Sequence, residues 1–250
     1  MNRKIVIHPD FNHLQAFIQQ IPSIFLSEGA YLHDGRNKIK IFEFAGLRLN
    51  VKRYRIPLFI NRLVYVYLRH PKALRAYEYA RRLQSMQIPT PTPIAYILEK
   101  QGGLLGFSYF ISLQVDYPRR FYEFGSARLT PSEQEILTAF GIFTARLHEQ
   151  GVYHQDYSPG NILFEQKNGQ TDFCLVDINR MEFGPVSFRK GCANFARLWG
   201  SPQMFRIIAR AYARSRHFEE EATCREVLKQ REKYWRKVIR KRPAEFPLEF

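Results

Sequence analysis

Apolar and polar positions alternate along Lys38-Ile-Lys-Ile-Phe-Glu-Phe and again along Leu47-Arg-Leu-Asn-Val-Lys52-Arg-Tyr, with Ala45-Gly46 between them. A period of two marks a half-buried strand, and a glycine-bearing break between two such runs marks a turn. Residues 24 to 54 are therefore expected to be strands. The period then lengthens: Leu74, Tyr77, Ala80 and Leu83 lie near helical spacing and predict a helix over 72–87. It should stop before Ile88-Pro89, because proline disfavours helical geometry in the residue before it. Ile94-Ala-Tyr-Ile-Leu and Phe107-Ser-Tyr-Phe-Ile-Ser-Leu predict two more strands, joined at Gly102-Gly103.

The second half has a different pattern. Thr130-Pro131-Ser132-Glu133 reads as a helix start, with a Thr cap, Pro in the first turn and Glu three residues after the cap. Ile136, Phe140, Phe143 and Leu147 then make one apolar stripe, and Gly151 ends it. Phe173-Cys-Leu-Val-Asp177 predicts a strand, and residues 193–240 are expected to be mainly helical. The organisation is thus α+β. A small β-rich lobe with one helix (1–114) precedes a mainly helical lobe (115–250) within one domain, and Ser112-Leu-Gln-Val-Asp116 is the expected hinge.

Composition narrows the class. A chain of 250 residues with 45% hydrophobic and 15% aromatic residues has the makings of a packed core. No apolar run reaches the roughly 18 residues a membrane helix needs, and the start Met1-Asn-Arg-Lys-Ile-Val-Ile-His-Pro does not read as a secretory signal. Cys174, Cys192 and Cys224 form no C-x-x-C pair, which fits a reducing, cytoplasmic compartment better than a disulfide framework. Cys174, inside Phe-Cys-Leu-Val, is expected in the core. The net charge of +15 favours polyanionic partners: nucleic acid, anionic lipid or a phosphorylated glycolipid.

The chemistry concentrates in His154-Gln-Asp156-Tyr-Ser-Pro-Gly-Asn161, followed by Val176-Asp177-Ile-Asn. This is H-x-D-x4-N and then an apolar run ending in Asp, the layout by which kinase-like phosphotransferases hold a hydroxyl beside magnesium–ATP. Phosphoryl transfer to an alcohol needs a carboxylate at the attacking hydroxyl, and Asp156 has that position. Asn161, five residues on, and Asp177 are the expected magnesium ligands. His154 is expected to shape the loop from a buried position. Lys52, ending Asn-Val-Lys, is the candidate for the ATP phosphates, and Glu78, mid-way along the 72–87 helix, is its candidate partner. No G-x-G-x-x-G is present. The segment from Glu28 to Asn37, with Gly35, is either the cover over the phosphates or an ordinary hairpin turn. With these residues the two lobes predict a bilobal protein-kinase-like fold.

The chain resembles the lipopolysaccharide kinase family of bacteria (the InaA/WaaP type, with Kdo and heptose kinases). The segments that carry the resemblance are Asn50-Val-Lys52-Arg-Tyr, Gln87-Ile-Pro-Thr-Pro-Thr-Pro-Ile-Ala-Tyr, Leu147 through Leu163, and Val176-Asp177-Ile-Asn179-Arg180. It implies ATP and Mg2+, with phosphorylation of an inner-core sugar on a lipid A precursor at the cytoplasmic face of the inner membrane. By position it gives Asp156 the catalytic-base role, Asn161 and Asp177 the metal roles, and Lys52 the ATP-phosphate role. Asp-Ile-Asn in place of D-F-G, with no A-P-E after it, lowers the protein-kinase reading. An antibiotic phosphotransferase and a non-catalytic module that reads an anionic surface are the remaining rivals. The basic, aromatic segment Arg55–His70, with Arg62 and Arg69, either docks a peripheral anionic membrane surface or packs on the β lobe. The run Arg231–Arg242 is basic, but no nucleic-acid module accompanies it and no nucleic-acid partner is expected.

Overall fold

The computed structural model describes residues 2–35, 37–56, 70–102, 104–126 and 129–250. The chain divides into two compact units, Met1–Asp116 and Tyr117–Phe250. Residues 57–69 of the basic aromatic segment, with Arg62 and Arg69, lie outside the described residues, as do Arg36 and Gly103.

The first unit is built on strands β1 (Asn2–Ile7), β2 (Ala30–Asp34), β3 (Lys38–Phe44), β4 (Leu47–Tyr54), β5 (Pro93–Gln101) and β6 (Leu104–Leu113). Among the described residues they form an antiparallel sheet in the order β1-β5-β6-β4-β3-β2. The β3–β4 turn follows the alternation. Phe44 pairs Leu47, and Ala45 and Gly46 both take positive φ, 51° and 73°, as the twist of a two-residue hairpin demands.

The expectation of strand from residue 24 is corrected at its start. Helix α1 (Gln15–Ile24) runs through residue 24, and strand begins only at Ala30. Pro22 lies inside α1, so local propensity argues against that helix. Packing overrides propensity: Leu14, Ile18, Ile21 and Phe25 are fully buried against Leu49, Val51, Ala95, Ile97 and Ile111 of the sheet. The other face is covered by helix α2 (Lys72–Ser85), whose Tyr77 ring lies 5.3 Å from that of Tyr96. Strand β5 is covered on both sides, which is why Ile94-Ala-Tyr-Ile-Leu reads as continuous apolar sequence rather than an alternation. Helix α2 ends two residues short of the expected 87. Gln87 turns to φ 56°, Ile88 N donates to Leu83 O at 2.9 Å and Gln87 N to Gln84 O at 2.9 Å. That pair of bonds is a Schellman stop, which closes the helix before Pro89 acts.

In the second unit, helix α3 (Pro131–Glu149) starts at the expected place. Thr130 Oγ1 accepts from Glu133 N at 3.3 Å, and the Glu133 carboxylate accepts from Thr130 N at 2.7 Å. Its buried side includes Ile136, Phe140, Thr144 and Leu147. The short strand β7 (Arg119–Arg120) precedes α3, and β8 (Val152–His154), β9 (Ile162–Lys167), β10 (Gln170–Leu175) and β11 (Met181–Phe183) follow. β9 and β10 form a hairpin with Asn168 and Gly169 at φ 51° and 76°. That Asn-Gly pair is the sequence signal for the β9–β10 hairpin. Strand β10 ends at Leu175, so Asp177 follows the strand rather than ending it. Helices α4 (Phe188–Asn194), α5 (Pro202–Ser215) and α6 (Glu220–Ile239) complete the unit. The run Arg231–Arg242 is not one solvated basic face. Arg231 is buried and donates to the carbonyls of Gly200 (2.7 Å) and Glu249 (2.5 Å), and Trp235, one turn on, is buried as well. Cys174 is buried, and no described helix is long and apolar enough to cross a membrane.

Candidate active site

The loop from His154 to Asn161 is anchored from below and closed on itself. Gly151, at φ 70°, ends α3 and turns the chain into β8, which pairs with β11. Tyr157 is the anchor. It is fully buried, stacked 5.5 Å from Phe140, with its hydroxyl 2.9 Å from Thr144 Oγ1. Burial pushes that phenol far above its ordinary range, so it stays neutral. Asp156 and Asn161 lie on either side of this anchor. Asn161 Nδ2 donates to the Asp156 carbonyl at 2.8 Å, which leaves Oδ1 as the acceptor end of the amide.

His154 sits under the loop, 1% exposed. Its Nδ1 accepts from Asp156 N at 3.0 Å, so Nε2 carries the proton and donates to Val176 O at 3.1 Å. Burial lowers its pKa, and the neutral ring pins Asp156 to the segment before Asp177. A second bond, Val176 N to Asn161 O at 3.0 Å, ties the same segment to Asn161. Asp177 takes the left-handed conformation, φ 54° and ψ 42°, uncommon for a residue with a Cβ. Its Oδ1 accepts from Asn179 Nδ2. Asp177, sixteen residues beyond Asn161, is thus tied through its neighbour Val176 to the loop that carries Asp156 and Asn161.

Behind the loop runs a buried relay. Asn194 Nδ2 donates to His154 O at 2.9 Å, and Asn194 Oδ1 is 3.0 Å from His148 Nε2. His148 Nδ1 is 2.9 Å from Tyr212 Oη, which accepts from Arg216 at 2.9 Å. Burial pulls His148 down to about 4. Asp156 has two further partners that reading the sequence did not find. Arg197 Nη1 donates to Oδ1 at 2.6 Å, and Arg180 Nη1 lies 3.4 Å from Oδ2. Arg180 is part of the Asp-Ile-Asn-Arg run and so carried a signal. Arg197 is one of 38 basic residues, with nothing local to single it out.

Lys52, Glu78 and Gly35 belong to the first unit. Lys52 pairs in register with Phe110, and Phe110 with Tyr96, so Lys52 lies on the sheet face that α2 covers. Its Nζ is 5.4 Å from the centroid of the Tyr54 ring. Glu78 sits mid-helix on α2, exposed, and its charge helps raise the Tyr96 phenol after burial has done most of it. Gly35 lies in the β2–β3 connection, beside His33.

A model of the lipopolysaccharide kinase (Kdo/WaaP) family matches residues 36–206. The chain belongs to this family. The matched span holds Lys52, Glu78, Asp156, Asn161, Asp177 and both arginines, and begins one residue after Gly35. A WaaP solved in complex with acyl carrier protein superposes with a TM-score of 0.64 at 15% identity, over 95% of this chain and 98% of that one. A microcompartment-associated aminopropanol kinase superposes at 0.55 with 12% identity, over 87% and 86%. At such identities the likeness speaks for fold: a kinase fold with a β-rich first unit and a mainly helical second. No curated protein matches the chain. The corner around Asp156, Asn161 and Asp177 carries oxygen donors of the kind that fit magnesium. Mg2+ is held by oxygens, commonly one or two carboxylates plus phosphates, and Asn161 Oδ1 and the Asp177 carboxylate are such oxygens. A cluster of three or more His, Cys, Asp or Glu is absent among the described residues.

Proposed function

We propose that this chain transfers the γ-phosphoryl group of ATP to a sugar hydroxyl of the lipopolysaccharide inner core, on Kdo or heptose with Kdo slightly favoured. The observation that supports the reading is the closed His154–Asn161 loop, in which Asn161 bonds the Asp156 carbonyl and Val176 N, next to Asp177, bonds the Asn161 carbonyl, in a chain of this family. Asp156 accepts a hydrogen bond from the acceptor hydroxyl and orients its oxygen at the γ-phosphorus. As the new P–O bond forms, the bond from the γ-phosphorus to the β,γ-bridging oxygen breaks, the hydroxyl proton passes to Asp156, and ADP leaves with the bridging oxygen. Asn161 and Asp177 would hold Mg2+, which when bound neutralises charge on the phosphates. Lys52, oriented by Glu78, would hold the α/β phosphates, and the turn at Gly35 would cover them. The net charge of +15 supports a peripheral position on the anionic cytoplasmic face of the inner membrane.

The test is ATP phosphotransfer to Kdo-bearing lipid A, heptosylated core and a generic protein, with mass spectrometry of the product. Labelled glycolipid from the wild type, and none from a folded Asp156→Asn variant, is the expected result. Full activity in that variant overturns the mechanism. No magnesium–ATP binding, or ADP release without acceptor preference, returns the chain to a module that reads an anionic surface.

A further inference from the structure

Asp156 faces more positive charge than a structural ion pair needs. Arg197 reaches Oδ1 at 2.6 Å from the turn after α4, and Arg180 approaches Oδ2 at 3.4 Å from the turn after Asp177. Their side chains are 39% and 46% exposed, against 20% for Asp156. Each guanidinium has five N–H donors in a planar fork, and in each a single nitrogen, Nη1, makes the contact with Asp156. Among the described residues neither has another protein acceptor in hydrogen-bond reach. The Arg197 guanidinium is steadied instead on the Tyr234 ring, 5.6 Å from its centroid. Two cations on one carboxylate leave the group one positive charge in excess. That arrangement is suited to receive a second anion through a bidentate fork.

We propose that Arg197, with Arg180 beside it, recognises an anionic substituent of the acceptor, a carboxylate or phosphate ester close to the hydroxyl that reacts. The inference rests on the kinase reading above. It makes Arg197 a specificity-determining residue and leaves the phosphoryl chemistry to Asp156. The contacts divide the work. Arg197 holds Oδ1 at 2.6 Å and fixes the carboxylate. Oδ2, with the longer contact to Arg180, is the oxygen open to an acceptor hydroxyl. The unused edge of the Arg197 fork then lies within a substituent's reach of that hydroxyl. An acceptor without the anion would bind beside an excess cation.

The experiment measures kcat and KM for both substrates in wild type, Arg197→Gln, Arg197→Lys and Arg180→Gln. Arg214→Gln serves as the charge control, an exposed arginine paired with Glu220. The acceptors are Kdo-bearing lipid A, the same glycolipid with the Kdo carboxyl reduced to an alcohol, and the dephosphorylated glycolipid. Wild type should prefer one intact anion by on the order of tenfold to a hundredfold, the size of a charged hydrogen-bond pair. Which altered acceptor fails identifies the carboxylate or the phosphate. Arg197→Gln should lose that preference through acceptor KM with ATP KM unchanged, Arg197→Lys should keep part of it, and Arg214→Gln should keep all of it. Undiminished discrimination in Arg197→Gln, an equal loss on all acceptors, or a change confined to ATP KM overturns the inference and leaves the kinase reading intact. Absence of transfer by wild type overturns the kinase reading itself, and the inference with it.

Discussion

Replacing His148 by Gln should flatten the acid side of the stability profile. His148 is 2% exposed, with Nε2 against Asn194 Oδ1 and Nδ1 against the Tyr212 hydroxyl. Asn194 is oriented by its own bond to His154 O, so its Oδ1 faces the ring and Nε2 must carry the proton. Burial lowers the pKa from 6.5 to about 4, with nearby Arg216 and Lys190 adding to the shift and the Asn194 bond opposing it. Above 6.5 the ring is neutral folded and unfolded, and its contribution is whole. As pH falls through 6.5 the unfolded chain takes up a proton that the folded chain refuses until about 4, so stability is lost across that window. Lowering from 6.5 to about 4 corresponds to about 3 kcal/mol. His154 is lowered too and acts in the same direction, so the quantity to read is the difference between wild type and His148→Gln. Both tryptophans, Trp199 and Trp235, lie in the second unit, so urea unfolding followed by tryptophan fluorescence reports the unit in question. Wild type should lose up to about 1.4 kcal/mol per pH unit more than the variant between 6.5 and 4. Equal slopes, or a His148 imidazole that titrates near 6.5 by NMR, would refute the reasoning.

Three further outcomes are expected. Thr130→Ala should destabilise the second unit by about 1 kcal/mol in the same fluorescence assay, since it removes the reciprocal cap at the start of α3. Gly141→Ala should cost more, about 1–3 kcal/mol, because a Cβ there would lie 2.6 Å from Ile208 O and 2.8 Å from Ala211 Cβ where α3 meets α5; an unchanged midpoint would show that the helices part easily. Asp177→Asn should fold normally and raise the magnesium concentration needed for half-maximal phosphotransfer at least about tenfold, the loss expected for one carboxylate ligand. An unchanged magnesium requirement would remove Asp177 from the metal role.

Local signals accounted for the parts of the fold in which neighbours in sequence are also neighbours in space. The β3–β4 hairpin followed from alternation around Ala45-Gly46, and the start of α3 from Thr130, Pro131 and Glu133. The same short-range logic picked out Asp156 and Asn161, because five residues of loop suffice to bring Asn161 Nδ2 onto the Asp156 carbonyl. Where the partner is remote, the pattern was silent or misleading. Strand β1 exists by pairing with β5, some ninety residues away. Helix α1 survives an internal proline because one face of the sheet needs covering. Arg231 reads as surface charge and is buried on the carbonyls of Gly200 and Glu249.

The sequence by itself determined the family and singled out the His154–Asn161 loop as the candidate site, since both rest on residue type and short spacing. Only the tertiary structure decided the surroundings of Asp156: the neutral His154 beneath it, the relay through Asn194 to His148, and the guanidinium of Arg197 on its carboxylate. The physical reason is range. A hydrogen bond or ion pair acts over a few ångströms of space, and residues 41 apart, as Asp156 and Arg197 are, come within that distance only when the helices and strands between them pack.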